Sequence, residues 1–346
     1  MKSIFLITSS FLFLLGSLNF TSAQTSQEAA DYMQEISTPF VEIKDETWKY
    51  LKAVTRGKGA RKVENKRQAL ISELKAEKSA LKKKDSFYGD ESLKKSTNEY
   101  LDLYYTVLKE DYDKILDMEE IAEQSYDLME AYLLAQEKAS DKLNEAFELY
   151  QTAQESFASS HNVRLMEAEQ DKRSKKIDKA SETLSYYNDV FLVFFKVFKQ
   201  EVYVLDAIGK NDLSGIEQNA SALASMAEEG MKTLKDMKDF DGDAKLKAAA
   251  TQMMIFYKKE AENEFADIAD FYLKKDNFEK AQQVIESKSK KERTQEDVDR
   301  FNKAVNEYNE AVNSFNELNE SSYKKRVKQQ KLWDKQVQAF FEEHSA

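Results

Sequence analysis

The chain holds few side chains that could act as nucleophiles, general bases or metal ligands. It has no cysteine and only two histidines, His161 and His344, which lie far apart in the sequence. Neither belongs to a Glu-x-x-His or His-x-x-x-His pattern, the spacing that places two ligands on one face of a helix. We therefore expect both histidines to be ordinary surface residues. The sequence predicts no catalytic residue, no metal site and no cofactor.

Residues 239–243, D-F-D-G-D, invite comparison with a calcium-binding loop. In an EF-hand loop a glycine stands at position six and a glutamate closes the loop at position twelve. Counted from Asp239, those positions hold Ala244 and Ala250, so the motif fails. The segment is better interpreted as an acidic turn in which Asp243 caps the helix that follows.

Charge is unevenly distributed along the chain. Residues 56–84 contain eleven lysines and arginines against three glutamates, whereas residues 110–137 contain ten carboxylates and one lysine. The simpler interpretation is that the basic helix packs beside the acidic one. The alternative is that the basic helix attracts an anionic polymer or lipid surface. The candidate patch for an anionic partner comprises Arg56, Lys58, Arg61, Lys62, Lys66 and Arg67.

The composition predicts an all-α protein. The 346 residues include one proline and eight glycines, and a chain of this length with so few helix breakers favours long helices. Its 21 phenylalanines and 17 tyrosines supply side chains for a core, although 33% of the residues are charged. We expect an elongated antiparallel helical bundle of long helices joined by short turns. It would occupy residues 24–346, either undivided or as two packed sub-bundles that divide near 209–212.

The most apolar part of the chain after its first residues is 184–208, which we interpret as the helix that the other helices pack around. Apolar residues follow one another at steps of three and four, and valines widen the apolar stripe beyond a single face. The alternative is insertion into a membrane, as in helical pore-forming toxins. Lys196 and Lys199 leave an uncharged run far too short to cross a bilayer, which favours the core.

The remaining helices are predicted from periodicity and turn residues. Residues 24–55 are interrupted at Ser37–Pro39, and residues 91–160 form one helix or two. A corner is expected within 271–281, which resembles the turn of a tetratricopeptide repeat, but no period of fixed length recurs and we favour an ordinary helix-turn-helix corner. The other expected helices are 60–83, 163–208, 213–238, 243–275, 278–287 and 294–343.

The first residues resemble a secretory leader. Met1 and Lys2 form a short basic start, Ile4–Phe20 is apolar, and Thr21–Ala23 is a cleavage site of small residues. We therefore expect a signal peptide at 1–23 and an exported protein in the periplasm, at the cell surface or outside the cell. The net charge of -11 becomes -12 when the one charged leader residue, a lysine, is removed. Such an acidic protein is a poor general binder of nucleic acid.

Residues 38–75 resemble a family of exported, all-helical surface proteins of Bacteroidota and spirochaetes. The similarity is carried by Trp48-Lys49-Tyr50 and by the G-K-G-A-R-K-V corner at 57–63. The resemblance implies a location in the envelope or at the surface, and it implies no catalytic activity.

These observations predict a non-enzymatic exported protein that acts as a structural or macromolecule-binding helical bundle. Its partner would be another protein or an anionic envelope polymer, with no nucleic acid and no membrane span after cleavage of the leader; the oligomeric state is left open. One alternative is a membrane-active helical protein. A second is a hydrolase that uses only carboxylates, which would require a concave cluster of Glu or Asp with shifted pKa values.

Overall fold

The computed structural model describes residues 20–56, 60–112, 121–165 and 171–345. All regular secondary structure in these ranges is helical, so the predicted all-α helical bundle is confirmed. The elements in chain order are α1 (Phe20–Ser37), α2 (Pro39–Thr55), α3 (Ala60–Lys82), α4 (Ser92–Thr106), a π-helical turn (Val107–Asp111), α5 (Tyr126–Ser160), α6 (Lys172–Gly209), α7 (Leu213–Asp236), α8 (Lys245–Glu262), α9 (Glu264–Ser287) and α10 (Gln295–His344). None of these helices is both long enough and apolar enough to cross a membrane.

Parts of four sequence predictions lie outside the described residues. Two of them are helical predictions, since residues 113–120 of region 91–160 and residues 166–170 of the expected helix 163–208 are outside. Most of the expected leader falls on residues 1–19, and α1 begins at Phe20, the last residue of the apolar stretch and the one before the expected cleavage site. Residues 57–59 of the turn after α2 are also outside, and they include Lys58 of the candidate patch.

Several helix boundaries agree with the sequence. The interruption at Ser37–Pro39 is present, and Pro39 occupies the first position of α2, where its missing N–H costs no hydrogen bond. The described part of region 91–160 contains two separate α-helices, α4 and α5, with the π-helical turn directly after α4. The side chain of Ser125 caps α5 by accepting a hydrogen bond from the N–H of Leu128 at 3.3 Å.

Two predicted boundaries are wrong. The expected corner within 271–281 is absent, because α9 runs through it, and the helix breaks instead at Asn263, where φ is −119° and ψ is −73°. Ion pairs at a spacing of four residues, Asp270–Lys274 and Asp276–Lys280, support the helix across the expected corner. The start of α6 also lies later than expected, since residues 163–165 are not helical and the helix begins after Asp171.

The chain forms two compact units. The first consists of the chain up to Asn188 together with Gln338–Ala346, and the second is Asp189–Val337. The division therefore falls inside α6 and α10, each of which contributes residues to both units. The turn at 209–212, where the sequence suggested a division, lies within the second unit.

In the first unit, α2 packs on α3, α3 on α4 and α4 on α5. Aromatic side chains fill the space between them: the ring centroids of Phe40 and Tyr150 are 4.8 Å apart, and those of Tyr100 and Phe147 are 5.7 Å apart. The last turns of α10 complete this unit. The ring of Phe340 lies 5.8 Å from that of Tyr186, the ring of Phe341 lies 4.9 Å from that of Tyr187, and the hydroxyl of Thr183 donates to the carbonyl of His344 at 3.1 Å.

His161 is not the ordinary surface residue that the sequence predicts. Its ring lies 4.4 Å from the ring of Phe157 and 4.9 Å from that of Phe87. Nε2 is 2.8 Å from Oδ2 of Asp90. His161 thus joins the end of α5 to the turn between α3 and α4.

In the second unit, residues 189–208 of α6 supply the core against α7 to α10. Phe194 stacks on Trp333 with 4.6 Å between ring centroids, and Val204 is fully buried. Within 189–208 only Tyr203 and Asp206 are exposed. The prediction that the phenylalanine-rich stretch packs in a core is therefore confirmed for this unit.

The two units share one arrangement of three helices. The sequence analysis found no recurring period, so this repeat was not predicted. The segment α2–α3–α4 of the first unit corresponds to the end of α6, then α7 and α8, in the second. Each residue of the second copy lies 153 positions after its counterpart, as 240 lies after 87 and 245 after 92. Buried positions coincide along the helices, as in the pairs Leu70 and Leu223, Leu74 and Ala227, Leu81 and Leu234, Leu93 and Leu246, Leu101 and Met254, and Tyr104 and Tyr257.

The clearest part of the repeat is the turn F-x-G-D. An isolated antiparallel bridge joins the first and last residues of the turn, Phe87 to Asp90 and again Phe240 to Asp243. The two residues between them have positive φ in both turns. Two consecutive positive φ values are typical of a type I′ turn, which favours glycine at one of the positions. In each turn the aspartate accepts a hydrogen bond at 2.8 Å from the backbone N–H of the first residue of the next helix, two positions later. Asp243, the predicted cap of α8, therefore bonds to the start of the helix from one position before the N-cap, Ala244. A lysine four residues further on donates to a carbonyl at the end of the preceding helix.

We expect Gly242→Ala to destabilise the protein by about 1 kcal/mol, because φ at Gly242 is +82° and side chains with a Cβ disfavour that region. Gly209→Ala is the matched control, since Gly209 also has free space around its Cα but lies at a helix end without positive φ. Urea unfolding followed by circular dichroism at 222 nm measures both. Equal effects of the two substitutions would contradict the assigned turn.

Candidate anion-binding surface

The start of α6 is anchored on α2 by a partly buried ion pair. Nζ of Lys44, whose side chain is 7% exposed, lies 2.5 Å from Oδ2 of Asp171. Asp171 also caps α6: its carboxylate accepts hydrogen bonds from the backbone N–H of Arg173 at 2.8 Å and from the N–H and hydroxyl of Ser174 at 3.1 and 2.8 Å. Burial alone would raise the pKa of Asp171, but these donors and the Lys44 ammonium lower it to about 2.

This anchor places three cations around one indole ring. Trp48 of α2 is 6% exposed, and the cationic groups of Lys52, Arg173 and Lys176 lie 5.8, 5.8 and 5.5 Å from its ring centroid. Distances of this size allow each cation to interact with the π face. Nε of Arg173 also donates to Oδ1 of Asp45 at 2.7 Å. The ring and the carboxylates therefore hold lysines and arginines of two distant segments on one surface.

The candidate patch predicted from the sequence lies at the end of α2 and on the start of α3, which packs on α2. Arg56 is the C-cap of α2, four positions after Lys52, and leads into the connection to α3. Arg56, Arg61, Lys62 and Lys66 are all exposed. The part of the patch that the structure describes is thus available to solvent, with one exception.

The exception is Arg67, and its assignment to the patch is wrong. It is 4% exposed, and its guanidinium donates to the carbonyl of Leu108 at 2.5 Å and to both carboxylate oxygens of Glu64 at 2.8 and 2.9 Å. The hydrogen bonds from Arg67 lower the pKa of Glu64. Arg67 therefore joins α3 to the π-helical turn and has no free donor face for a partner.

Sequence reasoning missed the contribution of α6. The run K-R-S-K-K at 172–176 is visible in the sequence, but no local pattern indicates that it packs on α2, more than one hundred positions earlier in the chain. Among the described residues, eight cations of α2, its C-terminal end, α3 and the start of α6 form no ion pair: Lys52, Arg56, Arg61, Lys62, Lys66, Lys172, Lys175 and Lys176. We call these eight residues the cationic surface.

Of the carboxyl groups that the structure describes, one in the second unit has its pKa raised furthest. Glu201 of α6 and Glu260 of α8 are 5% and 1% exposed, and they share Arg326 of α10. Nη1 of Arg326 lies 2.7 Å from Oε1 of Glu260, and its Nε lies 3.8 Å from Oε1 of Glu201. Burial, and then the charge of Glu260, raises the pKa of Glu201 well above its usual range. One guanidinium balances one carboxylate, so Glu201 holds a proton and donates it towards Glu260.

The proton on Glu201 also explains how two buried carboxyl oxygens can lack a donor from other residues. Oε1 of Glu201 and Oε2 of Glu260 are buried and find no hydrogen-bond donor among the described residues. A carboxyl proton on Glu201 supplies a donor between the two groups. Leaving both groups ionised would bury an uncompensated charge, which costs more than protonation.

Glu201 and Glu260 are the acidic cluster to compare with the one that a carboxylate-only hydrolase would require. The cluster has the shifted pKa values that such an enzyme requires, but Glu201 and Glu260 contact each other directly and are closed to solvent. Glycoside hydrolases hold their two carboxyl groups roughly 5–10 Å apart across a substrate cleft. The cluster therefore lacks the access and the spacing that would make it a catalytic site.

The Lys44–Asp171 pair predicts a specific dependence of stability on pH. Because the pKa of folded Asp171 is depressed to about 2, its contribution is present above about pH 4 and is lost as the pH falls through 2. We expect Asp171→Asn to destabilise the protein by about 1–2 kcal/mol at pH 7, less than for fully buried pairs because the Asp171 side chain is 46% exposed. Its stability should also vary less between pH 4 and 2.

Asp45→Asn is the control for that variant. Asp45 forms an ion pair with Arg173 in which both side chains are more than a third exposed, so its loss should cost less than about 0.5 kcal/mol. Urea unfolding at pH 7, 4, 3 and 2 distinguishes the two variants. If Asp45→Asn proved as damaging as Asp171→Asn, the anchoring role of Asp171 would be wrong.

The buried pair gives the opposite pH dependence. The pKa of Glu201 is raised on folding, so its contribution is present below about pH 4.5 and is lost as the pH rises towards the raised value. We expect Glu201→Gln, which keeps a donor towards Glu260, to be more stable than the native chain at pH 9. Glu260→Gln should destabilise at every pH, by about 3 kcal/mol, because Arg326 loses its partner. Urea unfolding between pH 5 and 9 tests both, and a native chain with constant stability over that range would contradict the assigned proton.

No family model matches the chain, and neither a curated protein nor a solved structure matches it. The resemblance of residues 38–75 to exported helical surface proteins therefore stays a prediction.

Proposed function

We propose that this protein is a non-enzymatic helical-bundle protein of the cell envelope that binds an anionic polymer through the cationic surface. The observation that carries the proposal is a set of eight cations without an ion pair, contributed by α2, α3 and the start of α6 in the first unit of a chain whose net charge is -11. Two of them, Lys52 of α2 and Lys176 of α6, meet at the ring of Trp48. A local surface opposite in sign to the whole molecule attracts anions while the rest of the protein repels them. Binding would therefore be oriented.

The packing beneath the surface supports a fixed arrangement of these charges. Lys44 and Asp171 lock the start of α6 to α2, and Trp48 lies beneath Lys52 and Lys176. Cations held in place lose less conformational freedom on binding than lysines on a mobile loop. A repeating anionic chain can contact several of them at once, which adds avidity to individually weak contacts.

The same geometry favours a polymer over a bilayer. Helices that lie in a membrane interface present exposed aromatic or aliphatic side chains beside their cations. Here the large apolar side chain of the surface, Trp48, is 6% exposed and covered by α6. An anionic partner would contact lysines and arginines but no exposed aromatic side chain that could insert into a bilayer. This supports binding of a polymer in preference to disruption of a membrane.

Export is the second part of the proposal, and the leader at residues 1–23 supports it. Cleavage after Ala23 would release a chain whose charged partners lie in the periplasm, at the cell surface or outside the cell. Surface polymers of bacteria that carry phosphate or carboxylate groups have the chemistry that the cationic surface fits.

The proposal predicts salt-sensitive binding to a polyanion. With heparin as the probe, we expect the quadruple variant Lys52→Gln, Arg61→Gln, Lys62→Gln and Lys176→Gln to bind at least tenfold more weakly at low salt. Each cation beside an anionic surface contributes about 1 kcal/mol. Isothermal titration calorimetry at 50 and 200 mM NaCl measures the affinity, and the variant should also lose much of the salt dependence.

A quadruple variant of equal charge change provides the control. Lys75, Lys82, Lys83 and Lys95 lie towards the other end of α3 and on α4 and are exposed, so their replacement by Gln should change affinity less than twofold. Equal weakening of both variants would show that net charge alone decides and would reject the cationic surface. Release of dye from phosphatidylglycerol vesicles by the native chain would instead favour the membrane-active alternative.

A further inference from the structure

The hairpin of α9 and α10 in the second unit carries aromatic side chains that its own packing does not cover. The ring centroids of Phe271 and Phe315 are 4.1 Å apart, and those of Phe278 and Tyr308 are 5.0 Å apart. Phe278 also lies 6.2 Å from Phe301. These five residues form a continuous aromatic ladder along the hairpin. All five remain half-buried.

The aromatic core of the first unit shows what full coverage looks like. There Tyr100, Phe147 and Tyr150 are 2%, 5% and 4% exposed, since more than two helices surround them. In α9 the face next to Phe271 is turned inwards, because Tyr272 is 8% exposed and its hydroxyl donates to the carbonyl of Ile208 at 3.0 Å. The ring of Phe271 instead packs on Tyr308 and Phe315 of α10, and within the described part of the chain it stays half-buried, so one side of the ladder is open.

A groove of about 680 Å³ lies at this open side, between α9 and α10. Phe271, Phe315 and Leu318 contribute its apolar surface. On α10 its lining residues run from Glu310 to Ser321, about 17 Å at 1.5 Å per residue. That length accommodates three turns of an added helix, and its volume lies in the range of specific binding sites.

The rim of the groove is acidic. Asp267, Glu310 and Glu317 line it, are exposed, and form no salt bridge with any described residue. The one cation in the lining, Lys274, is already paired with Asp270 at 2.6 Å. The hydrogen bond to Asp270, together with the charges of Glu307 and Glu310, raises the pKa of Lys274. The field at the rim is therefore negative.

We infer that this groove is a docking site for a cationic amphipathic helix of a partner protein, which adds a third helix to the α9–α10 hairpin. Apolar residues at steps of three and four would cover Phe271, Phe315 and Leu318, and flanking lysines or arginines would meet Asp267, Glu310 and Glu317. The same hairpin of a second copy would bring like charges together at the rim, which disfavours it as the occupant.

The hairpin is held ready for such a helix. At its tip Lys288 forms an ion pair with Asp297 at 2.7 Å, and Nε of Arg293 donates to the carbonyl of Ile285 at 3.0 Å. Thr294 and Asp297 cap α10 reciprocally, each side chain accepting from the backbone N–H of the other at 3.2 and 2.9 Å. Docking would therefore need little rearrangement of the backbone, which favours affinity.

A designed peptide tests the inference on the intact protein. The probe is an 18-residue helical peptide with leucines along one face and lysines on the other, labelled for fluorescence anisotropy. We expect the triple variant Asp267→Asn, Glu310→Gln and Glu317→Gln to bind it at least tenfold more weakly. These side chains are exposed, so the variant should unfold at the same urea concentration as the native chain.

Two controls separate the groove from net charge. The triple variant Glu217→Gln, Glu229→Gln and Asp236→Asn changes three exposed carboxylates of α7 and should bind within twofold of the native chain. A peptide with serine in place of leucine keeps all lysines and should lose binding, because the aromatic ladder then remains uncovered. Similar weakening by both triple variants, or undiminished binding of the serine peptide, would overturn the inference.

Self-association is the remaining outcome to exclude. Light scattering after gel filtration should give the same mass for the native chain and for the groove variant. A native dimer that the groove variant converts to a monomer would overturn the inference, because the occupant would then be a second copy. The cationic surface lies in the first unit, so failure of this test leaves the binding of polyanions untouched, and the reverse also holds.

Discussion

The arrangement of both units depends on a backbone constraint at one tight turn. In F-x-G-D, two residues with positive φ reverse the chain within four positions, and the bridge between its ends requires the flanking helices to run back along each other. The aspartate then starts the next helix by accepting from its backbone. The turn has the same length in both copies, so the helix before it and the helix after it pair their buried side chains at equivalent positions in the two units. Hydrophobic burial stabilises the pairs, but the turn decides which residues face each other.

On this common scaffold the two units carry different chemistry at equivalent positions. Trp48 of the first unit corresponds to Glu201 of the second, and Val107 corresponds to Glu260. In the first unit the indole is covered by cations, and the surrounding surface is left with unpaired charge. In the second unit two carboxyls face each other in the interior and are balanced by Arg326 and a proton. Polyanion binding is thus proposed for the unpaired cations of the first unit, while the buried carboxyls at the equivalent positions of the second unit contribute to stability.

Sequence patterns predicted those features that depend on local residues. The helical content, the break at Pro39 and the hydrogen bond of Asp243 to the start of α8 follow from nearby side chains, as do the cations of α3. The repeat was missed because its two copies share few identical residues, among them Phe87, Gly89 and Asp90, while most buried positions only conserve apolar character. The contact of α6 with Trp48 could not be predicted from local sequence patterns either, since it joins residues more than one hundred positions apart. Arg67 was misassigned because periodicity does not tell a buried guanidinium from an exposed one.

The completion of the first unit by residues 338–346 has a consequence for the order of folding. A ribosome makes the whole second unit before it reaches Phe340, Phe341 and His344, the residues that close the first unit against Thr183, Tyr186 and Tyr187. During synthesis the second unit can reach its final packing while the first unit still lacks the last turns of α10. Loss of a few residues near position 340 would then damage the part of the protein that was synthesised first and spare the part synthesised just before the cut.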